Sequence, residues 1–437
     1  MTQAKNPLSG GVNPPDDSFV SRSGGIVNAA VPSLAVIPLR QHVGRAARCV
    51  VKPGDPVEEG MLIGAADGPE SANVHASIPG RVVEIREIIL PGEVSSQAVV
   101  IELGGQFGRS GRPRTTRTWE GISRADLLSR IRDAGVVGLS GGALPTHLKL
   151  AMQPGKSASL LVANGMGCEP SLSADYALLR EKPQEIGEAI RICRALLDPG
   201  RAVLALADNA ADLVPEYERV FKDLHVQAEV VLLPSRYPQG HEQLVVSSLS
   251  GANGESLADS VVLNVGTLHA IFEAVVNDRP LIERVLTVAG NPVAAPRNLK
   301  VRIGTRIGDL FEECGGLTET VGKVVVGGPM RGLAVDSLDT PVTKGTTGVV
   351  AFTGQEARLR TEWPCINCGD CVEACPWDLV PTRLYKLIKK EDFAAAEREG
   401  LSRCTECGCC AFACPSHIPL VHVLRGGKRM QNRGGNV

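Results

Sequence analysis

The sequence predicts a multidomain α/β protein. A β-rich sandwich, an open α/β sheet domain, a small β-rich unit and a helical, cysteine-rich domain follow one another. Three observations predict it. Short β-type runs separated by turns fill 35–103. Strand-like and helix-like segments then alternate up to about residue 277, the pattern of a mainly parallel sheet covered by helices. Near the C-terminus, CINCGDCVEACP and CTECGCCAFACP repeat one cysteine spacing. At 437 residues the chain has room for about three domains of roughly 150 residues each.

Hydrophobic residues make up 43% of the chain, and 46 basic against 48 acidic side chains leave a net charge of −2. That balance gives no basic excess for nucleic acid, and 3% aromatic residues leave few platforms for stacked bases. Forty-eight glycines point to tight turns and close backbone approach to ligands. Of thirteen cysteines, nine fall between Cys365 and Cys414, while Cys49, Cys168, Cys193 and Cys314 are scattered singly. This is cofactor usage in a reducing compartment, not a disulfide framework. The stretch MTQAKNPLSGGVNPPDDS lacks the apolar core of a signal peptide. No apolar run approaches the roughly 18 residues that span a bilayer, so membrane association is expected to be peripheral, through a partner.

Residues 1–30, rich in Gly, Pro, Ser and Asn, read as an irregular arm. The runs AVIPL, ARCVV, MLIGAA, GRVVEI and QAVVIEL give a β-rich domain over 31–104. Its segments VKPGDPVEEGMLIG and HASIPGRVVEI resemble the halves of a biotinyl/lipoyl-type barrel-sandwich hybrid, whose carrier lysine sits at the hairpin between them. Here the hairpin reads AADGPESANV, with no lysine, so the domain is expected to dock or scaffold. A Gly/Arg/Thr-rich linker follows at 105–118.

Within the α/β domain, 119–278, Ser123 caps a helix over 125–133 whose Leu127, Leu128 and Ile131 share a face, and Gly135 closes it. Strands are expected at 159–163, 202–207, 229–233 and 261–265, and helices at 183–197, 210–223, 240–249 and 267–277. Runs such as AVLALA and EVVLL are apolar on both faces, as strands buried under helices require. Residues 279–335, with a short helix at 307–314, resemble the β-grasp soluble-ligand-binding (SLBB) fold. A Gly/Thr-rich link at 336–360 leads to the cysteine domain, 361–425. Its insert carries amphipathic helices near 381–389 and 392–399, so it resembles a helical ferredoxin. Residues 426–437 read as a tail.

Each cysteine run is C-x2-C-x2-C-x3-C followed by proline, the spacing that wraps soft, anionic thiolates around a [4Fe–4S] cubane. Two copies supply eight ligands, enough for two clusters. The fourth cysteine of each run ligates the other cluster in two-cluster ferredoxins. Cys365, Cys368, Cys371 and Cys414 are therefore assigned to one cluster, and Cys404, Cys407, Cys410 and Cys375 to the other. Zinc sites rarely carry this triplet-plus-proline spacing. Cys409 is left over and is expected to be packed without ligating.

At the α/β end, GVVGLSGGALPTHLKL (135–150) follows the first capped helix. Consecutive glycines let backbone N–H groups converge on a phosphate or ring, and Lys149 would neutralise phosphate charge. NGMGCEPSLSAD (164–175), SRYPQGHEQLV (235–245) and LNVGTLHA (263–270) fall where predicted strands end and helices begin, the rim where open α/β sheets bind ligands. With the glycine loop they resemble the flavin- and NADH-binding subunit of respiratory complex I. They resemble still more closely the RnfC/RsxC family, a component of the Rnf/Rsx electron-transport complexes. That resemblance runs from GGVNPP, beginning at Gly10, to SHIPLV, ending at Val421.

The resemblance implies a non-covalent FMN, NAD(H) as substrate, and a wire to the two clusters. It places Gly138, Gly141 and Gly142 in the flavin cradle with Lys149 near the phosphate, and Asn164 and Glu169 beside the isoalloxazine. Tyr237, Gly240 and Glu242 would border the nicotinamide, and Asn264 and Thr267 would hold the phosphate end. It further implies a peripheral subunit on the cytoplasmic face of the bacterial inner membrane. The partners would be the other subunits of an Rnf/Rsx-type complex and a ferredoxin-like carrier. Two alternatives remain: a reductase for another acceptor, as in cobalamin- or proline-reductase-linked proteins, or a flavin-free iron–sulfur relay. The chain departs from the family's GGAGFPT with SGGALPT at 140–146, and Gly167 stands where the family's NGAECEP has an acidic residue. A position requiring positive φ would resist Ala143.

Overall fold

The structure is a computed structural model that describes residues 2–3, 9–16, 19–107, 118–151, 157–250 and 257–434. Most of the linker expected at 105–118 lies outside the described residues. The centre of the fold is a five-stranded parallel sheet. Its order is Thr2–Gln3, Glu229–Leu233, Arg201–Ala207, Leu160–Gly165, Ser260–Asn264. Alternation along each strand serves two cores. Leu160 and Val162 join Val245, Val246 and Leu249 of the helix Glu242–Ser250 on one face. Leu161 and Ala163 join Ile186, Ile190, Leu268 and Ile271 on the other. Period-2 side chains with a helix layer on each face are why these strands are apolar throughout.

Local signals set the helix ends. Ser123 Oγ accepts from the Asp126 N–H at the start of Arg124–Asp133, whose Leu127 and Ile131 are buried. Asn264 caps Val265–Val275 by accepting from the Gly266 N–H at 2.8 Å. Such caps satisfy N–H groups that a helix leaves without internal partners. The helix Ala174–Glu181 has no counterpart among the helices expected from the sequence.

Around this sheet, Leu34–Pro38, Val94–Leu103, Gly80–Leu90 and Pro56–Val57 form one antiparallel sheet of the N-terminal sandwich. Arg48–Cys49, Leu62–Ala65 and Val74–His75 form the other. The β-grasp unit has six strands, in the order Leu333–Val335, Val321–Val326, Gly348–Thr353, Glu283–Ala289, Arg297–Arg302, Ile26–Asn28. The helix Ile307–Glu313 packs its Ile307, Leu310 and Phe311 into that unit's core.

Three segments differ from expectation. The arm is not wholly irregular: Thr2–Gln3 extends the α/β sheet and Ile26–Asn28 extends the β-grasp sheet. The link at 336–360 contains Gly348–Thr353, a strand inside the β-grasp sheet with Val349, Val350 and Ala351 buried. Its flanking Gly and Thr residues hide an apolar strand inside a linker-like composition. The C-terminal segment continues as the helix Leu420–Gly434, and Gly427 lets it approach Ile388 of Pro381–Lys389.

Leu204 in the middle strand is fully buried. Leu204→Ala should destabilise the sheet by about 2–5 kcal/mol, seen as a lower urea midpoint by far-UV circular dichroism. An unchanged midpoint would show that this strand is not part of the cooperative core.

Candidate functional site

The strand order places Leu160–Gly165 beside Ser260–Asn264, with the two intervening strands on the other side. Crossovers therefore diverge between these two neighbours, and a crevice opens at their carboxyl ends, where open α/β sheets bind ligands. Asn164 and Asn264 face each other there in register. Asn164 Nδ2 donates to the Gly240 carbonyl at 2.9 Å, and its Oδ1 accepts from the Met166 N–H at 3.2 Å. Asn264 Nδ2 donates to Asp175 Oδ2 at 2.7 Å. Burial raises the pKa of Asp175, opposed by that bond and by the Arg284 charge.

The glycine loop lies over this crevice. It is closed by Gly138 N–H to Leu144 O at 2.8 Å and Ala143 N–H to Gly138 O at 3.2 Å. Buried Thr267 accepts from the Leu139 N–H at 2.9 Å and ties the loop to the helix that Asn264 caps. A Cβ at Gly141 or Gly142 would project into open space. Side chains would fill the very cradle that a ring or phosphate needs, so these residues fit FMN. Ala143 does take the left-handed conformation, with φ 45°.

The other rim residues divide. Lys149 and Glu242 form an ion pair, and Lys149 Nζ also donates to the Val262 carbonyl at 3.2 Å. Lys149 is therefore engaged with protein, while Glu242 stands half-exposed at the start of its helix. Gly240 is needed for packing: a Cβ there would lie 2.9 Å from Cys168 Sγ. Tyr237, placed at the nicotinamide border by resemblance, stands elsewhere. It is 2% exposed, its hydroxyl donates to the Cys407 carbonyl at 2.6 Å, and its backbone pairs with Val12 at 2.8 and 3.1 Å. A phenol buried and engaged in this way joins the α/β domain to the cysteine domain. It is not the wall of an open site.

Glu169 turns toward the β-grasp turn. Its Oε2 accepts from the Met330 N–H at 3.1 Å, and the Arg331 backbone and the Tyr237 side chain stand beside the buried carboxyl. Burial pushes this carboxyl up to about 7. Sequence reasoning passes over Asp175, Arg284 and Lys344. For the two cations the available signal is a charged pair inside an apolar strand (LIERVL) and a single lysine in a Gly/Thr link (VTKGTTG).

The thiols gather in crossed sets. Cys371 is raised by burial, with Cys414 and Cys368 beside it adding to the effect. Cys410 is raised by burial and by Cys407, Cys404 and Cys375. The two loops share one backbone shape: Asn367 and Gly369 take φ of 57° and 92°, and the equivalent Glu406 and Gly408 take 58° and 86°. Left-handed residues between cysteines turn thiols and amides to one side, forming an anion-binding concavity. Four thiols around each concavity fit an anionic [4Fe–4S] cluster.

Cys409 is fully buried against Val12, Tyr237 and Ala374, and its hydrogen bond to Cys407 lowers the Cys407 pKa. The set of Cys375, Cys404, Cys407 and Cys410 is buried at the domain junction. In the other set Cys368 is exposed, near Trp363 and Ile366, which are 62% and 68% exposed.

Because Glu169 has a pKa near 7 against an ordinary 4.5, the folded chain holds a proton there that the unfolded chain releases. Its contribution is fully present below about pH 4.5 and is lost as pH rises toward 7, by up to about 1.4 kcal/mol per pH unit. Glu169→Gln should therefore gain in melting temperature relative to the parent between pH 5 and pH 8. A pH-independent difference would refute the shifted carboxyl.

Four family models match the chain in succession. They are the RnfC barrel sandwich hybrid domain over 7–106, the Nuo51 FMN-binding domain over 131–273, the SLBB domain over 285–334 and the 4Fe-4S dicluster domain over 359–415. The chain is 38% identical over 395 residues to the C subunit of the proton-translocating ferredoxin:NAD(+) oxidoreductase complex of Clostridium ljungdahlii, covering 89% of this chain and 86% of that protein. It is 33% identical over 427 residues to the C subunit of the ion-translocating oxidoreductase complex of Rhodobacter capsulatus, covering 96% and 82%. With the C subunit of the Na(+)-translocating ferredoxin:NAD(+) oxidoreductase complex of Acetobacterium woodii it shares 32% over 437 residues, covering 98% of each. Among solved structures, an NAD+-reducing [NiFe]-hydrogenase in the H2-reduced state has a similar fold, with a TM-score of 0.51 at 21% identity over 72% of this chain and 62% of that one. On this similarity along nearly its whole length, the chain belongs to the RnfC family, the C subunits of ion-translocating oxidoreductase complexes.

Proposed function

We propose that this chain is the peripheral redox subunit that passes electrons between NAD(H), FMN and two [4Fe–4S] clusters. It would exchange them with membrane subunits and a ferredoxin-like carrier at the cytoplasmic face of the bacterial inner membrane, while partner subunits move the ion. The observation that carries this reading is a single continuous junction. The open glycine loop and the Asn164/Asn264 crevice belong to the domain whose Tyr237 bonds the backbone of Cys407. Among the described residues no helix is long and apolar enough to cross a membrane, in keeping with peripheral attachment.

Bound at these sites, FMN supplies hydride acceptance and one-electron release, and the clusters supply one-electron transfer. The residues divide the remaining work. Gly141 and Gly142 present backbone N–H groups and Gly138 closes the loop beneath them by bonding Leu144, while Thr267 and Asn264 hold the loop and the helix start that receive the phosphate end. Asn164, locked by Gly240 and Met166, presents a rigid amide edge to the crevice. Glu242, half-exposed and paired with Lys149, is the acidic group positioned to orient a nicotinamide ribose or amide. Lys149 is expected to move from Glu242 toward phosphate when that phosphate binds, since the stronger anion competes for its charge.

Cys404, Cys407, Cys410 and Cys375, buried beside Tyr237, are proposed to hold the cluster nearer the flavin domain. Cys365, Cys368, Cys371 and Cys414 would hold the cluster nearer solvent. Lys428 Nζ donates to the Cys404 carbonyl at 2.8 Å, placing a cation beside the buried anionic site.

Protein purified and reconstituted without oxygen should carry about eight iron atoms per chain, two clusters of four, and one releasable FMN whose absorbance NADH bleaches. Eight iron without flavin uptake would make the chain a relay, and flavin insensitive to NADH would point to another donor. Glu242→Gln should slow flavin reduction by NADH about tenfold or more with iron content unchanged. An equal rate would remove Glu242 from the nicotinamide site.

A further inference from the structure

The glycine loop is shaped by groups that lie outside its own domain. Ala143, at φ 45° and 8% exposed, has a backbone conformation that an alanine keeps only where its surroundings over-determine it. Its own domain supplies Thr267, which accepts from the Leu139 N–H. The remaining hold comes from elsewhere. Val43 of the sandwich domain donates its N–H to the Ala143 carbonyl at 3.3 Å. Arg284, in the strand Glu283–Ala289 of the β-grasp sheet, donates Nη2–H to the Leu139 carbonyl at 3.2 Å and Nη1–H to the Lys344 carbonyl. Lys344, in the segment that returns to that sheet, donates Nζ–H to the Gly135 carbonyl at 2.7 Å and the Asn73 carbonyl at 2.6 Å. Its N–H meets Gln41 Oε1 at 2.9 Å. Gly345 then passes close to the Ala143 methyl and the Gly141 carbonyl.

Both cations are almost fully buried, at 7% and 1% exposure. Burial pulls Lys344 down to about 7 and Arg284 to about 10, with Asp175 opposing the fall for Arg284. Two buried basic side chains spent on backbone carbonyls are an expensive way to join domains, because apolar packing would do so without desolvating polar or charged groups. They do something apolar contacts cannot: they fix carbonyl directions where the chain enters the loop, at Gly135 and at Leu139, while Val43 holds the Ala143 carbonyl at its far end. The N–H groups of Gly138, Leu139 and Ala143 are taken up by Leu144, Thr267 and Gly138, so with those peptides oriented the N–H groups of 140–142 are the ones left for a ligand.

We propose that Arg284 and Lys344 are positioning residues for the flavin: a clamp from the β-grasp domain that holds the strained glycine loop open for the cofactor. This rests on the FMN reading above. Flavin affinity then depends on how the β-grasp and sandwich domains seat against the α/β domain, although neither supplies a residue to the cradle itself.

The test uses the full-length chain, stripped of flavin under anaerobic conditions. Variants are Arg284→Lys, which keeps charge but loses the two-pronged fork, and Lys344→Met, each with and without Ala143→Gly. FMN affinity is read from quenching of its fluorescence, iron content from a colorimetric assay, and loop order from hydrogen exchange of a peptide covering 136–145. Each single variant should bind FMN about tenfold or more weakly, exchange faster at the Leu139 amide without FMN, and keep its iron. Adding Ala143→Gly, which relieves the strained φ, should recover most of the affinity in both backgrounds. Parental affinity in Arg284→Lys would overturn the proposal. So would weakened binding that Ala143→Gly leaves unrepaired, because that marks general loss of domain packing. If the parent chain itself takes up no FMN, the flavin reading fails separately, while unchanged Leu139 exchange in Arg284→Lys would still overturn the clamp.

Discussion

The hydrogen bond from Tyr237 to the Cys407 carbonyl, 2.6 Å long and almost sealed from water, is the contact on which the rest of this architecture depends. A chain that hands electrons from one site to another must hold the two in a fixed relation, and this bond crosses between their domains. The arm completes it. Gly11 donates its N–H to the Ala374 carbonyl at 3.0 Å, Val12 pairs with Tyr237, and Gly10 lies so close to Cys375 that a Cβ would sit 2.8 Å from its carbonyl carbon. Glycine is required at position 10 both for this approach and for its φ of 73°. A segment that reads as irregular is thus a seam between the α/β and cysteine domains.

The same logic recurs on the other side of the α/β domain, with polar groups in place of glycine. Ser173 and Ala174 donate their N–H groups to Thr287 Oγ1, both at 3.0 Å. Thr287 donates to Asn298 Oδ1 at 2.8 Å, and Asn298 Nδ2 reaches the Ser21 carbonyl at 3.1 Å. These residues belong to the arm, the α/β domain and the β-grasp sheet, and all are buried. A buried polar group without a partner is costly, whereas a satisfied one permits few geometries. Together with Arg284 and Lys344, this network specifies one arrangement of three domains, where apolar packing would tolerate several.

What is legible in the sequence follows the physical range of each signal. Strands such as Arg201–Ala207 and the helix Pro183–Leu197 can be read because an apolar run or a 3.6-residue period is local to the segment. The strand Gly348–Thr353 escapes because Gly and Thr on either side carry the composition of a linker, and only the neighbouring strands of the β-grasp sheet show that GVVAF is interior. Tyr237 is misplaced for a related reason. A side chain in a turn can point to another domain altogether, as this phenol does toward the Cys407 carbonyl.

By itself the sequence determined the order of structural types, the cap at Ser123, the eight thiols and the glycine loop, since each is written in residue type and short spacing. The tertiary structure alone decided that Asn164 and Asn264 meet in register, that Asn264 caps the helix after it, and that Ala143 takes a left-handed conformation. It also decided that the loop is braced by Arg284 and Lys344, which lie far beyond it in the chain. The reason is range: a period or a spacing acts within one element, whereas burial, desolvation and the satisfaction of a carbonyl depend on what folds against it from elsewhere in the chain.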